Sequence, residues 1–349
     1  MAYRFKLNER AGKALLRTGA EQLRQALDTL GSGEAAAGIH GTRKCIKRLR
    51  ALLRLARPGL EKSAYRHIET TLRDAGRTLS ASRDRDVLIA TATELSAGSP
   101  DLRTTLRRVC ATIVPPDDAS SSKPHAAVIA KARDLLQTAT DDWQALELAD
   151  DSFATLAAGI ERGLRDLGEA FAATESGDEE AFHDLRKTVQ RHWRHMRLVE
   201  AGWPAYFKAR AEEAKEISEL LGKAQDLTLM LRHLRMEPPP SVSGEDLGEL
   251  IAAVEQRRAA FQDAARSRTT RLLAESPHAH ARRAAEYWTA ARALREKNLA
   301  SPAEIPLTEA AAAIRTTAAR PTPRKRSPRA KSAAGTSSAR ASRTTRRPA

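Results

Sequence analysis

Residues 39–54 read IHGTRKCIKRLRALLR, and residues 182–197 read FHDLRKTVQRHWRHMR. In each segment an apolar residue precedes a histidine, and basic residues follow that histidine at positions +3, +4, +8 and +14. Apolar residues recur every three or four positions, which is typical of an amphipathic helix. The two segments therefore predict two similar helices, each with a buried stripe and a cationic stripe.

The likeness between the two segments continues downstream. Residues 79–89 read LSASRDRDVLI and residues 221–231 read LGKAQDLTLML, so that an aspartate, Asp84 or Asp226, follows each histidine after 44 or 43 residues. A single Arg-rich helix repeats easily by chance in a basic chain, whereas a helix, a break and an aspartate in the same order do not. We infer an internal duplication with a period of about 143 residues.

The apolar spacing is helical almost throughout the first 300 residues, with interruptions at Gly, Pro and Ser. Predicted helices span residues 9–30, 35–57, 60–80, 84–97, 100–113, 125–147, 151–173, 179–200, 203–221, 225–236, 244–275 and 279–297. The predicted fold class is therefore all-α, as one helical bundle or a pair of them. The two halves are predicted to span residues 1–147 and 148–298.

The composition favours helices and disfavours several other classes of protein. Hydrophobic residues make up 41% of the 349 residues and aromatic residues only 4%, which disfavours a β-sheet protein. Two cysteines are too few for a disulfide framework or a zinc cage. Because no apolar run suits a signal peptide or a membrane span, we expect a cytoplasmic protein without a membrane partner.

Positive charge is concentrated at the C-terminal end. The formal net charge is +15, and residues 321–349 contain nine basic residues and no acidic one. This segment is rich in Ser, Thr, Ala and Pro, so residues 299–349 are predicted to form a linker and a disordered basic tail. Because such tails bind DNA non-specifically, a nucleic-acid-binding protein is an alternative function.

On a helical wheel, most basic residues of the two predicted helices fall within about 50° of the histidine. The predicted buried stripes consist of Ile39, Ile46, Leu49, Leu53 and Ala56 in the first helix and Phe182, Leu185, Val189, Met196 and Val199 in the second. One basic stripe alone is usually a solvated surface, but such a surface mixes both signs of charge. Each stripe contains no carboxylate and repels itself by roughly a few tenths of a kcal/mol per like-charged pair, which indicates anion binding.

The motif His-x-x-Arg-Lys-x-x-(Lys)-Arg, present twice and followed each time by an aspartate, resembles the signature of the CHAD family, the conserved-histidine α-helical domain. The resemblance covers roughly residues 8–297. It implies two four-helix bundles related by a pseudo-twofold axis, with the basic helices facing each other across a central groove or pore. It also implies binding of inorganic polyphosphate and association with polyphosphate granules.

The resemblance assigns the motif positions of both copies to polyphosphate binding, and the helical wheel adds basic residues on the same faces. The predicted binding residues are His40, Arg43, Lys44, Lys47, Arg48 and Arg54 in the first half, His183, Arg186, Lys187, Arg191, Arg194 and Arg197 in the second, and Arg73 and Lys215 eleven residues before the two aspartates. The second copy departs from the pattern at Gln190 and Trp193, so we expect the halves to contribute unequally. Asp84 and Asp226 are interpreted as structural, either as helix caps or as partners of basic side chains.

Inorganic polyphosphate suits these stripes chemically. It is a flexible chain with about one negative charge per phosphate and no bases, so a ladder of Arg, Lys and His side chains can bind it. The stripes offer almost no aromatic platforms, which disfavours a site for single-stranded nucleic acid. A polyphosphate-processing enzyme is a third alternative, but the chain has no Walker motif and no Glu-x-Glu-x-Lys signature, and no catalytic residue, cofactor or metal site is predicted.

Overall fold

The structure is a computed structural model that describes residues 3–31, 35–79, 84–98, 100–113 and 126–297. These residues belong to one structural unit, which spans residues 1–298. Within the described ranges the chain forms helices and no strand, so the all-α prediction is confirmed. The linker and basic tail predicted for residues 299–349 lie outside the described residues.

The described residues form eleven α-helices. They are α1 (Ala11–Gly31), α2 (Ala35–Ala56), α3 (Lys62–Thr78), α4 (Asp84–Gly98), α5 (Arg103–Ile113), α6 (Ala126–Gln144), α7 (Phe153–Ala173), α8 (Glu179–Leu198), α9 (Pro204–Met236), α10 (Gly244–Leu272) and α11 (Pro277–Glu296). The predicted break between residues 221 and 225 is wrong, because α9 continues through it. Gly222 is tolerated inside this helix because buried Leu221 and Ala224 on either side keep it packed.

Local sequence signals explain where several helices begin. Glu61, Ser152, Ser243 and Ser276 precede α3, α7, α10 and α11, and the side chain of each accepts a hydrogen bond from a backbone N–H in the first turn. Pro204 occupies the first turn of α9, where its missing N–H leaves no helical hydrogen bond unmade. These signals mark where α3, α7, α9, α10 and α11 begin.

The helices pack in three groups. Helices α1, α2, α3 and α6 pack on one another, α7, α8, α9 and α10 form a second series of neighbours, and α4 and α5 pack against α9 and α10. Helix α11 lies against α7. Because α4 contacts α9, and α2 contacts both α7 and α8, the two predicted halves touch at several places. The boundary between residues 147 and 148 and the internal duplication stay predictions.

The buried stripes of α2 and α8 agree with the sequence analysis. Nine of the ten predicted residues are buried, and only Ile39 is half-buried. At its C-terminal end α2 is enclosed on more sides than predicted, since Leu52 and Leu55 are also fully buried. The predicted cationic stripe of α2 is therefore most accessible over the first half of the helix.

No helix in the part of the chain that the structure describes is long and apolar enough to cross a membrane.

Candidate anion-binding site

Helices α2 and α8, which carry the two predicted cationic stripes, are in direct contact. The Nε2 of His195 in α8 lies 3.0 Å from the carbonyl oxygen of Ala51 in α2, and because a carbonyl only accepts, Nε2 carries the proton. Burial, followed by the nearby charge of Arg191, lowers the pKa of His195 to about 3, so this ring is neutral. The contact brings the two stripes side by side, while a groove or pore between them stays a prediction.

Three predicted binding residues from the two helices interact electrostatically. Burial is the main reason that the pKa of Arg194 falls to about 10; Tyr3 opposes this shift, and the charges of Arg48 and Arg186 add to it. We call these three arginines, Arg48, Arg186 and Arg194, the central cluster. A bound anion would relieve the repulsion among them.

Arg48 and Arg194 are held by neutral partners. The Nη1 of Arg48 donates to Oε1 of Gln22 at 3.1 Å, and its guanidinium lies 5.5 Å from the ring centre of Tyr3. The Nη1 of Arg194 donates to the backbone carbonyl of Gln190 at 2.7 Å. Among the described residues neither arginine forms an ion pair, so neither charge is compensated by a carboxylate contact.

The arginines at position +3 of the two motif copies have corresponding contacts. In the first copy, Nη1 of Arg43 donates to the carbonyl oxygen of Leu79 at 2.8 Å, at the end of α3. In the second, Nη1 of Arg186 donates to Oε1 of Gln225 in α9 at 2.7 Å. Each arginine thus links its basic helix to the helix that follows it in the chain.

The two motif histidines lie in different surroundings. His40 is exposed on α2, as are Lys44 and Lys47. His183 is half-buried on α8, and its Nδ1 is buried without a hydrogen-bond partner among the described residues. The two halves were expected to contribute unequally, and their histidines differ in burial as well.

Carboxylates outside the two stripes pair with six of the predicted residues. The pairs are Arg54–Glu69 at 2.7 Å, Arg191–Asp166 at 2.6 Å, Lys187–Asp184 at 2.8 Å, Arg197–Glu200 at 2.7 Å, Arg73–Asp74 at 3.4 Å and Lys215–Glu219 at 3.2 Å. Arg73 and Lys215 are exposed and pair with neighbours on their own helices. Absence of carboxylates within a stripe therefore does not make every cation on it available to a ligand.

Arg54 and Arg191 also line a small cleft between α2, α7 and α8, which encloses about 50 Å³. The other lining residues are Arg57, Tyr65, Gly159, Arg162, Gly163, Asp166 and His195. Sequence reasoning missed Arg57 and Arg162, because they lie outside both motif copies. The spacing of Gly159 and Gly163 on one face of α7 was the available signal for a close helix approach.

The two aspartates that follow the motif copies, Asp84 and Asp226, occupy different positions on their helices. Helix α4 begins at Asp84, whereas Asp226 lies inside α9 and caps no helix end. Within the described ranges, no group of three or more His, Cys, Asp or Glu side chains is arranged to hold a metal ion.

An all-α fold with two adjoining helices that carry clustered arginines defines a helical protein with a concentration of positive charge where the two helices meet. A sequence profile of the CHAD domain matches residues 14–235, more than half of the chain, and the chain belongs to the CHAD family. The family prediction is confirmed.

Comparison with solved structures finds a match to the crystal structure of the CHAD domain from the plant Ricinus communis. The two chains share 19% sequence identity, the match covers 77% of this chain and 94% of the other, and the TM-score is 0.49. No curated protein matches the chain.

Proposed function

We propose that this protein binds inorganic polyphosphate without transforming it, through the cationic faces of α2 and α8. The observation that carries the proposal is the central cluster, in which Arg48 of one basic helix and Arg194 of the other interact without an ion pair among the described residues. Membership of the CHAD family supports the same function.

The chemistry of the central cluster suits a polyphosphate chain. Guanidinium groups donate paired hydrogen bonds to phosphate oxygens, and charge-assisted bonds of this kind are about twice as strong as neutral ones. A polyphosphate chain has no bases to read, so closely spaced cations are sufficient to bind it. Binding would also offset the burial and, after it, the repulsion by Arg48 and Arg186 that together lower the pKa of Arg194.

The same surface supports an association with polyphosphate granules in the cytoplasm. A granule presents many chains at high local concentration, so even moderate affinity for each chain retains the protein there. Exposed Lys44 and Lys47 extend the cationic surface of α2 beyond the central cluster. Localisation of a fluorescent fusion in cells with and without polyphosphate tests this part of the proposal.

A binding experiment with two charge-matched variants tests the proposed function. In the four-site variant, Arg43, Lys44, Arg186 and Lys187 are changed to Gln, which retains a hydrogen-bonding amide. In the matched control, exposed cations away from the stripes are changed to Gln, namely Arg24, Arg103, Arg107 and Lys131. Both variants lose four positive charges.

We expect the four-site variant to bind long-chain polyphosphate at least thirtyfold more weakly than wild type at about 150 mM salt, which is roughly 0.5 kcal/mol per lost contact. The matched control should change the affinity less than threefold. Equal losses in the two variants would mean that only net charge matters, and the proposed site would be wrong.

The alternative function, non-specific binding of nucleic acid through residues 321–349, makes the opposite prediction. A full-chain variant with the nine basic residues of that segment changed to Ser separates the two. The polyphosphate proposal expects this variant to keep most of its affinity for polyphosphate, whatever happens to duplex DNA. Loss of polyphosphate binding in the tail variant alone would favour the alternative.

A further inference from the structure

The cleft between α2, α7 and α8 is closed at its base by close helix packing. A Cβ on Gly159 would lie 1.8 Å from the carbonyl oxygen of Leu55, so only glycine permits α7 to approach α2 this closely. A Cβ on Gly163 would lie 3.1 Å from Nδ1 of His195 in α8. The two glycines and the His195 ring therefore form a floor, and a ligand can enter the cleft only from its open side.

Positive charge exceeds negative charge around this cleft. Glu69 pairs with Arg50 and Arg54, and Asp166 pairs with Arg191. Arg57 lies 4.9 Å from the ring centre of Tyr65, and Arg162 is exposed. In the part of the chain that the structure describes, neither Arg57 nor Arg162 forms an ion pair.

Four guanidinium groups line the cleft and Asp166 is the one carboxylate among the lining residues, so the lining carries an excess of three positive charges. Burial, followed by the charge of Arg54, lowers the pKa of Arg191, whereas Glu69 outweighs burial and raises the pKa of Arg54, so Arg191 is the lining cation whose charge is disfavoured in the unliganded protein. An anion in the cleft would offset the burial of Arg191 and its repulsion by Arg54.

The volume and the charge of the cleft determine which phosphate group of a chain fits it. With about 50 Å³ and a closed floor, it can take a single phosphate but cannot pass a chain through. A terminal phosphate carries up to two negative charges at neutral pH, whereas a phosphate inside a chain carries one. The cleft therefore matches the end of a chain in both size and charge.

We propose that this cleft binds the terminal phosphate group of a polyphosphate chain, while the central cluster binds phosphates further along. The inference rests on the proposed function and adds chain-end recognition to it. Arg57 and Arg162 donate to the terminal oxygens from the open side, and Arg54 and Arg191 line the inner part of the cleft.

Two ligands of similar charge test chain-end recognition in the full-length protein. Linear tetrapolyphosphate has two terminal groups, and cyclic hexametaphosphate has none. We expect wild type to bind the linear ligand at least tenfold more tightly than the cyclic one in calorimetry or competition assays at fixed salt. Equal affinities would overturn the proposal.

Variants of the two exposed arginines locate the effect. Arg57→Ala and Arg162→Ala should each weaken binding of the linear ligand by about tenfold, because each removes a charge-assisted contact, and should leave the cyclic ligand within about twofold. The control is Arg165→Ala. Arg165 is an exposed arginine on the same helix as Arg162, and it pairs with Glu161. If the control weakens the linear ligand as much as Arg162→Ala, the cleft is not the site.

Orthophosphate distinguishes a chain end from free phosphate. The proposal expects inorganic orthophosphate to bind at least tenfold more weakly than the linear tetramer, since it makes no contact outside the cleft. Equal affinity would identify a site for free phosphate and overturn the proposal. If long-chain polyphosphate binds wild type but the linear and cyclic ligands do not differ, chain-end recognition fails while the proposed function stands; if long-chain polyphosphate does not bind at all, both fail.

Discussion

Replacing Arg194 by methionine is expected to stabilise the fold and to weaken polyphosphate binding at the same time. Methionine fills much of the same volume without a charge. Burial, with the charges of Arg48 and Arg186, lowers the pKa of Arg194 to about 10, and a fall of this size opposes folding by about 3 kcal/mol. At every pH below 10 the side chain is charged in both the folded and the unfolded chain, so the whole effect is present at neutral pH.

Two favourable contacts are lost with the guanidinium. The hydrogen bond from Arg194 to the carbonyl of Gln190, at 2.7 Å, contributes about 1 kcal/mol. The position of the guanidinium 5.1 Å from the ring centre of Trp193 contributes about 0.5 kcal/mol. The net gain in unfolding free energy is therefore about 1–2 kcal/mol, which corresponds to a rise in Tm of about 2–8 °C.

Urea and thermal unfolding, combined with polyphosphate titration at fixed salt, measure both effects. We expect Arg194→Met to raise the urea midpoint and to weaken polyphosphate binding by about tenfold. Arg197→Met is the control, because this exposed arginine on the same helix pairs with Glu200 and its loss should lower stability by less than about 1 kcal/mol. Destabilisation by Arg194→Met, or unchanged polyphosphate affinity, would refute the reasoning.

Three further predictions concern the cleft, the packing and pH. Asp166→Asn removes a carboxylate from the cleft and should strengthen binding of linear tetrapolyphosphate several-fold. It should also lower the unfolding free energy by about 1–3 kcal/mol, because Asp166 pairs with Arg191. Weaker binding would contradict the charge argument. Gly159→Ala should destabilise the protein by more than about 2 kcal/mol, because the new Cβ would lie 1.8 Å from the carbonyl oxygen of Leu55. The control, Gly248→Ala, has open space around the new Cβ and should stabilise α10 by about 0.5–1 kcal/mol. Similar urea midpoints for the two variants would be inconsistent with this packing. Burial lowers the pKa of His195 from 6.5 to about 3, so between these pH values the unfolded chain binds a proton that the folded chain does not. The free energy of unfolding should therefore fall from pH 6.5 towards pH 3, and it should fall less steeply in His195→Gln. Identical slopes of unfolding free energy against pH in urea titrations would count against a neutral buried ring.

The fold was predictable from the sequence wherever the signal was local. The apolar period of α2 and α8 identifies Leu49, Leu53, Leu185 and Met196 as core residues, and all four are fully buried. The break predicted inside α9 was wrong because a glycine in a helix is a weak signal, and buried neighbours on both sides of Gly222 outweigh its low propensity.

The candidate site was predictable only in part, for a different reason. The motif spacing places Arg48 and Arg194 on cationic faces, but which cations are paired depends on side chains that arrive from other helices. Arg48 and Arg191 both occupy position +8 of their motif copies. Arg48 contacts the neutral side chain of Gln22 in α1, whereas Arg191 pairs with the carboxylate of Asp166 in α7. No periodicity within one helix encodes such contacts.

The cleft was only partly predictable from the motifs, which include Arg54 and Arg191 but neither Arg57 nor Arg162. Arg57 follows α2 in a short turn and Arg162 lies on α7, so the two residues meet only because α7 packs closely against α2 and α8. Gly159 and Gly163 make that approach sterically feasible, and a pair of glycines four residues apart in a helix was the one local hint.

The salt dependence of polyphosphate binding tests the central claim most directly. The slope of log affinity against log salt concentration reports the number of phosphates neutralised, at about 0.7–0.9 per contact for nucleic-acid phosphates. If the cationic faces of α2 and α8 are the binding site, the four-site variant should show a slope shallower than wild type by about 3, and the matched control should run parallel to wild type. A four-site line parallel to wild type would contradict the account, because the changed side chains would then make no contact with phosphate.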